Sequence, residues 1–113
     1  MDITQRWTAF EAQIVERFGK PLKMEALLFL IGVRELGASP HREFTKEEKV
    51  DLMHIALCRL LSQSGYYKLA YLDQDGWPHW EALKPLPHQD MFSQVHLLRE
   101  HILAYAEEEE LFS

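Results

Sequence analysis

Hydrophobic residues recur along this chain of 113 residues at the 3.6-residue spacing that is typical of amphipathic helices. The first such segment covers about residues 3–18, and Gly19 supplies a C-terminal stop. The second covers about residues 22–36 and ends at Gly37. It is apolar nearly all round, a pattern typical of a helix buried at the centre of a domain.

The third helix has the clearest start in the sequence. In "FTKEEK", Thr45 is the predicted N-cap and Glu48 stands three residues later, which is the spacing of a reciprocal capping box. This helix is predicted to run to about Ser64, and a fourth to run from near residues 87–90 to about Glu107. The predicted core-facing positions of the third helix are Val50, Met53, Leu57, Leu60 and Leu61.

Between the third and fourth helices the hydrophobic period changes from 3.6 to two. Tyr67, Leu69 and Tyr71 alternate with their neighbours, and "DQDG" at 73–76 follows as a short-range hairpin signal. A second arm is predicted at about 79–84. The predicted fold class is mainly α within the α+β group: one domain over residues 1–113, with four helices and a β-hairpin between helices 3 and 4.

The stretch "DQDGWPHWE" at 73–81 resembles a calcium loop only in part. With Gly76 at the sixth position of an EF-hand loop, Asp73 and Asp75 fall on ligand positions, but the first position is Tyr71 and the twelfth is Ala82. Two ligands of about six are too few for a site. We therefore expect a tight turn in which the aspartates bond nearby amides and Gly76 adopts a positive φ.

Aromatic residues are concentrated in the predicted hairpin. Since only one face of a two-stranded hairpin can rest on a core, we expect some of these rings to be exposed as interface anchors. The alternative is that they close over the helices as part of the core. The predicted partner-binding residues are Tyr66, Tyr67, Tyr71, Trp77, His79 and Trp80.

Six histidines and one cysteine raise the question of a metal or thiol site. Asp51, His54 and Cys58 share one side of the third helix, and His96 and Glu100 form an i, i+4 pair on the fourth. No HExxH or CxxC spacing is present, so we expect no metal site, no cofactor and no catalytic residue. Cys58 is expected to pack as a small hydrophobe.

The net charge of −6 lies entirely in residues 51–113, because residues 1–50 carry eight acidic and eight basic residues. A field of this sign repels phosphate backbones and anionic lipid. The longest apolar run, at 26–33, is far shorter than the roughly 20 residues of a membrane span. With no signal-peptide pattern and a single cysteine, the sequence favours a cytoplasmic location.

The order of elements over residues 22–106 is similar to the layout of winged-helix transcription regulators. The resemblance implies that the helix before the hairpin is a recognition helix and that the last helix pairs subunits. The predicted wing, 66–84, carries a charge of −1 and has Asp73 and Asp75 at its tip. This charge argues against DNA as the partner.

The sequence favours a non-catalytic interaction module that binds a protein partner or a second copy of itself through the aromatic hairpin, 66–84. A symmetric dimer is the default form of self-association. Two alternatives remain: a winged-helix-like transcription regulator, and a small metal- or thiol-dependent enzyme that uses His54 and Cys58.

Overall fold

The computed structural model describes residues 2–39, 42–87 and 89–112, and it has the predicted fold class. Four helices and a two-stranded antiparallel sheet are present in these residues, and the hairpin lies between the third and fourth helices. The elements are α1 Ile3–Phe18, α2 Met24–Leu36, α3 Lys46–Ser62, β1 Tyr67–Leu72, β2 Pro78–Ala82 and α4 Met91–Glu108.

In α1, α3 and α4 the N-cap side chain accepts a hydrogen bond from a backbone amide of the first turn. The Thr45 hydroxyl accepts from the Glu48 amide at 3.1 Å while the Glu48 carboxylate accepts from the Thr45 amide at 2.9 Å, so the predicted capping box of α3 is confirmed. Asp2 and Asp90 are the N-caps of α1 and α4. Helix α2 begins at Met24, two residues later than predicted.

The chain folds as two compact units. The first comprises residues 1–22 and 87–113 and contains α1 and α4; the second comprises residues 23–86 and contains α2, α3 and the hairpin. The assignment of residues 1–113 to one domain stays a prediction.

In the second unit, α2 packs against α3 at very short range. A methyl group on Gly32 would overlap the backbone carbonyl of Leu52, so only glycine permits this approach. Val33, Phe44 and Leu52 form a buried cluster beside the crossing, and Trp77 from the hairpin side packs against it.

The buried face of α3 includes the predicted Leu60 and Leu61 but not the other three predicted positions. Val50 is 57% exposed, and Met53 and Leu57 are only half-buried. The buried residues of α3 are Leu52, Ile55, Ala56, Cys58, Leu60 and Leu61. Helix α3 is apolar at so many positions that its period does not select one face, and the close approach of Gly32 to Leu52 selects it instead.

In the first unit, α1 packs against α4. Trp7, Phe10 and Ile14 of α1 are buried, whereas Phe18 is exposed. After α4 the chain turns back, and the ring of Phe112 lies 5.5 Å from that of Phe10.

Among the residues that the structure describes, no helix combines the length and the apolar character needed to span a membrane.

The hairpin and the α3–turn groove as a candidate interaction site

The two strands pair with an irregular register. Leu69 lies opposite Trp80 and Tyr71 lies opposite His79, so Ala70 is an extra residue in β1 and forms a bulge. Because neighbouring residues of β2 point to opposite faces, the bulge places Leu69 and Tyr71 on opposite faces of the sheet. The simple alternation of the sequence would have put both on one face.

The bulge creates a contact at the outer face of the hairpin. The Tyr71 and His79 rings are stacked, with centroids 4.6 Å apart and planes 5° from parallel. The His79 Nε2 atom lies 3.0 Å from the Oδ2 atom of Asp73. A tyrosine, a histidine and an aspartate are therefore held in one row at the end of the hairpin.

Asp73 organises the turn, as the sequence predicts. Its Oδ1 atom accepts from the amides of Asp75 at 3.0 Å and Trp77 at 2.9 Å, and Gly76 has a φ of +84°. The hydrogen bond with His79, followed by the bond from the Trp77 amide, lowers the pKa of the Asp73 carboxyl. The Asp73 carboxylate therefore stabilises the turn through these hydrogen bonds.

The six predicted partner-binding residues fall into different environments. Tyr71 and His79 are exposed, whereas Tyr66, Tyr67, Trp77 and Trp80 are half-buried. Trp77 contacts the core cluster, and the Lys84 ammonium lies over the Tyr66 ring, 4.4 Å from its centroid. The two indoles are thus neither fully exposed nor fully buried.

Sequence reasoning on aromatic residues alone missed the exposed aliphatic residues of this region. Leu72 is 61% exposed and Tyr71 is 58% exposed. Leu69, Leu83 and Leu86 are also exposed. We define Leu69, Tyr71, Leu72, Leu83 and Leu86 as the hairpin surface. The sequence signal was the apolar content of both arms, "LAYL" and "ALKPL", which exceeds what one buried face needs.

A groove of about 490 Å³ lies between the first half of α3 and the turn, and we call it the α3–turn groove. On the helix side it is lined by Glu48, Asp51, His54 and Ile55, and on the hairpin side by Asp73, Asp75 and the run Trp77–Trp80. Three predicted residues, Trp77, His79 and Trp80, therefore meet here, while Tyr66, Tyr67 and Tyr71 do not line the groove.

The groove combines acidic and apolar walls. Its lining contains four carboxylates and no lysine or arginine. The Nε1 atom of Trp80 is buried and has no hydrogen-bond partner among the described residues. A buried donor that is left unsatisfied costs about 1–3 kcal/mol.

The thiol of Cys58 is not suited to nucleophilic chemistry. The side chain is 1% exposed, and burial raises the pKa of the thiol to about 11. The His54 Nε2 atom lies 3.5 Å from the sulfur. Since the thiolate is the reactive form, almost none of Cys58 is present as the nucleophile at neutral pH.

The described histidines do not all lie in one site. His54 and His79 line the groove, His96 pairs with Glu100, and the Nδ1 atom of His101 lies 2.7 Å from the Leu97 carbonyl oxygen. No group of three or more His, Cys, Asp or Glu side chains among the described residues could hold a metal ion. His41 and His88 lie outside the described residues.

Comparison with known proteins returns no family model, no curated protein and no solved structure that matches this chain. We therefore infer function from the residues of the hairpin surface and the α3–turn groove.

Proposed function

We propose that this protein is a non-catalytic interaction module that binds a protein partner through the hairpin surface. The observation that carries the proposal is the exposure of large apolar side chains at Leu69, Tyr71 and Leu72, on a strand of only six residues. The bulge puts Leu69 and Tyr71 on opposite faces, so exposed apolar area is present on both faces of the hairpin, and a partner that covers it removes that area from water.

The architecture of the hairpin supports this proposal. A two-stranded sheet leaves one edge of each strand without a strand partner, and such an edge can pair with an added strand. Pro78 at the start of β2 removes a donor there, whereas β1 contains no proline. We therefore infer that β1 is the better docking strand.

A second copy of the chain is one form that the partner takes in this proposal, and it would give a symmetric dimer. Light scattering coupled to size-exclusion chromatography, over a hundredfold range of protein concentration, tests self-association directly. A mass of two chains that shifts to one chain in the double variant Tyr71→Ser/Leu72→Ser would identify the hairpin surface as the dimer contact.

Binding to a different protein is tested by affinity capture with quantitative mass spectrometry. The wild-type chain is compared with Tyr71→Ser/Leu72→Ser, and the matched control is Met91→Ser/Phe92→Ser, which removes two other exposed apolar side chains in the first unit. A partner lost by the hairpin variant and kept by the control supports the proposal. The proposal is contradicted if the protein is a strict monomer and the wild-type chain and both variants capture the same proteins.

DNA binding is the second candidate because α2, α3 and the hairpin form one compact unit in the winged-helix order. The end of the hairpin carries Asp73 and Asp75, where a wing that contacts phosphate needs basic residues. We rank DNA binding second for this reason. A mobility-shift assay in about 50 mM salt, at which phosphate contacts are strong, should show no retardation of duplex DNA.

For the thiol-enzyme alternative, burial raises the pKa of the Cys58 thiol to about 11, so little thiolate is present at neutral pH. We do not propose it further. A reducing, cytoplasmic location is retained as part of the proposal, because a buried single cysteine forms no internal disulfide.

A further inference from the structure

The two strands of the hairpin differ in how far the protein covers their shared face. Leu69 lies opposite Trp80, and Leu72 lies opposite Pro78. Because Pro78 and Trp80 are two residues apart in β2, the four side chains share one face of the sheet. On this face Pro78 is buried and Trp80 is half-buried, whereas Leu69 and Leu72 are 49% and 61% exposed. The apolar face is therefore covered at β2 and open at β1.

The main-chain groups of β1 are open on the same side of the hairpin. Within the part of the chain that the structure describes, the sheet has two strands, so β1 has a free edge. The Leu83 amide donates to the Tyr66 carbonyl at one end of the pair, and the Asp73 amide donates across it at the other, both at 2.9 Å. In an antiparallel pair such residues alternate with residues whose N–H and C=O groups point away. Counted from these two bonds, Leu69 and Leu72 present their main-chain groups at the free edge.

Charge is distributed unequally along the hairpin. The turn carries Asp73 and Asp75, whereas the other end carries Lys68 and Lys84 against one acid, Glu81. The Lys68 ammonium lies 3.4 Å from the Glu81 carboxylate, and both side chains are more than half exposed. A second hairpin placed antiparallel beside the first brings each acidic turn to the basic end of the other, whereas a parallel one places like charges together.

We propose that two copies of this chain pair antiparallel through the free edges of their β1 strands and form a four-stranded sheet around a two-fold axis. Leu69 of one copy lies opposite Leu72 of the second copy, and in the same register Lys68 lies opposite Asp73. This inference rests on the proposed function, because it names a second copy as the partner of the hairpin surface.

The bulge at Ala70 makes this register self-consistent. Residues that lie opposite each other in an antiparallel pair share a face, but two residues three apart in a regular strand do not. The extra residue places Leu69 and Leu72 on one face, so these two can pair across the two-fold axis. A bulge and an edge lysine discourage pairing with an arbitrary strand. A second copy of β1 brings a matching bulge and an aspartate for Lys68.

Disulfide trapping tests the register. Chains with Leu69→Cys are mixed with chains with Leu72→Cys, and Cys58 stays in place because it is buried. The two new sites lie opposite each other, with Cα atoms about 5.5 Å apart, which a disulfide can span. Two copies of either variant alone hold their sites roughly 10 Å apart and should cross-link about tenfold more slowly or less. A mixture of Met91→Cys and Phe92→Cys, both exposed on α4, measures random collision.

Light scattering over a hundredfold range of protein concentration measures the association itself. The wild-type chain should approach the mass of two chains. Lys68→Glu places an acid opposite Asp73 and should weaken the dimer by about tenfold at low salt and by less at high salt. The control Lys20→Glu changes the net charge equally at an exposed residue of the first unit and should associate like the wild type. Thermal unfolding followed by circular dichroism checks that both variants are folded.

A dimer that keeps its affinity in Lys68→Glu would overturn this inference, and so would trapping that is no faster in the mixture than in either cysteine variant alone. A strict monomer that loses a captured partner in Tyr71→Ser/Leu72→Ser would leave the proposed function standing and remove the β1 pairing alone. A strict monomer that keeps the same captured proteins in that variant would remove both.

Discussion

The α2–α3 crossing and the β-hairpin belong to the same compact unit, but apolar side chains are buried at the crossing and exposed in the hairpin. At the crossing, Leu52 is 0% exposed and the backbone of Gly32 leaves no room for a methyl group. In the hairpin, Leu72 is 61% exposed. Burying a leucine contributes about 1.5–3 kcal/mol, so one region uses this energy for folding and the other leaves it available for a partner.

The difference also concerns local stability. An isolated two-stranded hairpin is marginally stable in water, and this one is held by its contact with α3 and by the Asp73 turn. At the crossing, Val33 of α2 and Leu52 of α3 belong to the buried core cluster. We therefore expect the hairpin to open more readily than the crossing, as segments that bind partners commonly do.

The sharpest test of the comparison is one substitution made in both regions. Leu52→Ala removes a fully buried side chain beside the crossing and should lower the free energy of unfolding by about 2–5 kcal/mol. Leu72→Ala should change it by about 0.5 kcal/mol or less, because the side chain is mostly exposed. Urea unfolding followed by circular dichroism measures both. Similar losses in the two variants would mean that the hairpin belongs to the core.

Alanine substitutions at Gly32 and Gly76 distinguish the cost of a packing clash from the cost of backbone strain. Gly32→Ala places a methyl group against the Leu52 carbonyl and must push α2 and α3 apart, which should cost about 3 kcal/mol. Gly76→Ala meets no atom within 4 Å but forces alanine to a φ of +84°, which should cost about 1–2 kcal/mol. Thermal unfolding ranks the two. A smaller loss of stability for Gly32→Ala than for Gly76→Ala would show that α2 and α3 can move apart at the crossing at little cost.

The sequence predicts the helix ends and the turn well because these depend on neighbouring residues. The Thr45–Glu48 capping box and the Asp73 turn each form within four residues, so their side-chain types suffice to define them. The hairpin itself follows from the Asp-Gly signal between two apolar arms.

The sequence does not predict features that depend on distant neighbours. The buried face of α3 follows from the approach of Gly32, twenty residues before Leu52, and not from the apolar stripe that contains Val50. The bulge at Ala70 depends on which residues of β2 pair with β1. For the same reason the α3–turn groove, whose walls come from residues 48–55 and 73–80, is not visible in the sequence pattern.

The same comparison between a side chain packed on the core and an exposed one can be made with two aromatic residues, Trp77 and Tyr71. Trp77 packs against the core cluster, so Trp77→Ala should lower the free energy of unfolding by about 2 kcal/mol, below the cost at a fully buried tryptophan. Tyr71→Ala loses a stacked but exposed contact with His79 and should cost about 0.5 kcal/mol or less. Chemical unfolding checks both values. Equal costs would indicate that Tyr71 also supports the core.

The smallest expected effect is the acid response of the turn. Hydrogen bonds from His79 and from the Trp77 amide lower the pKa of Asp73, so its stabilising effect is complete above the unfolded pKa of about 3.9. It is lost as the pH falls through the lower folded pKa, and the hairpin should then open before the crossing. Amide hydrogen exchange at Asp75 and Trp77 between pH 6 and pH 2 measures this loss, and Asp73→Asn should remove its pH dependence. Protection at Asp75 and Trp77 that persists after Asp73 is protonated would show that strand pairing and the α3 contact hold the hairpin without the charge.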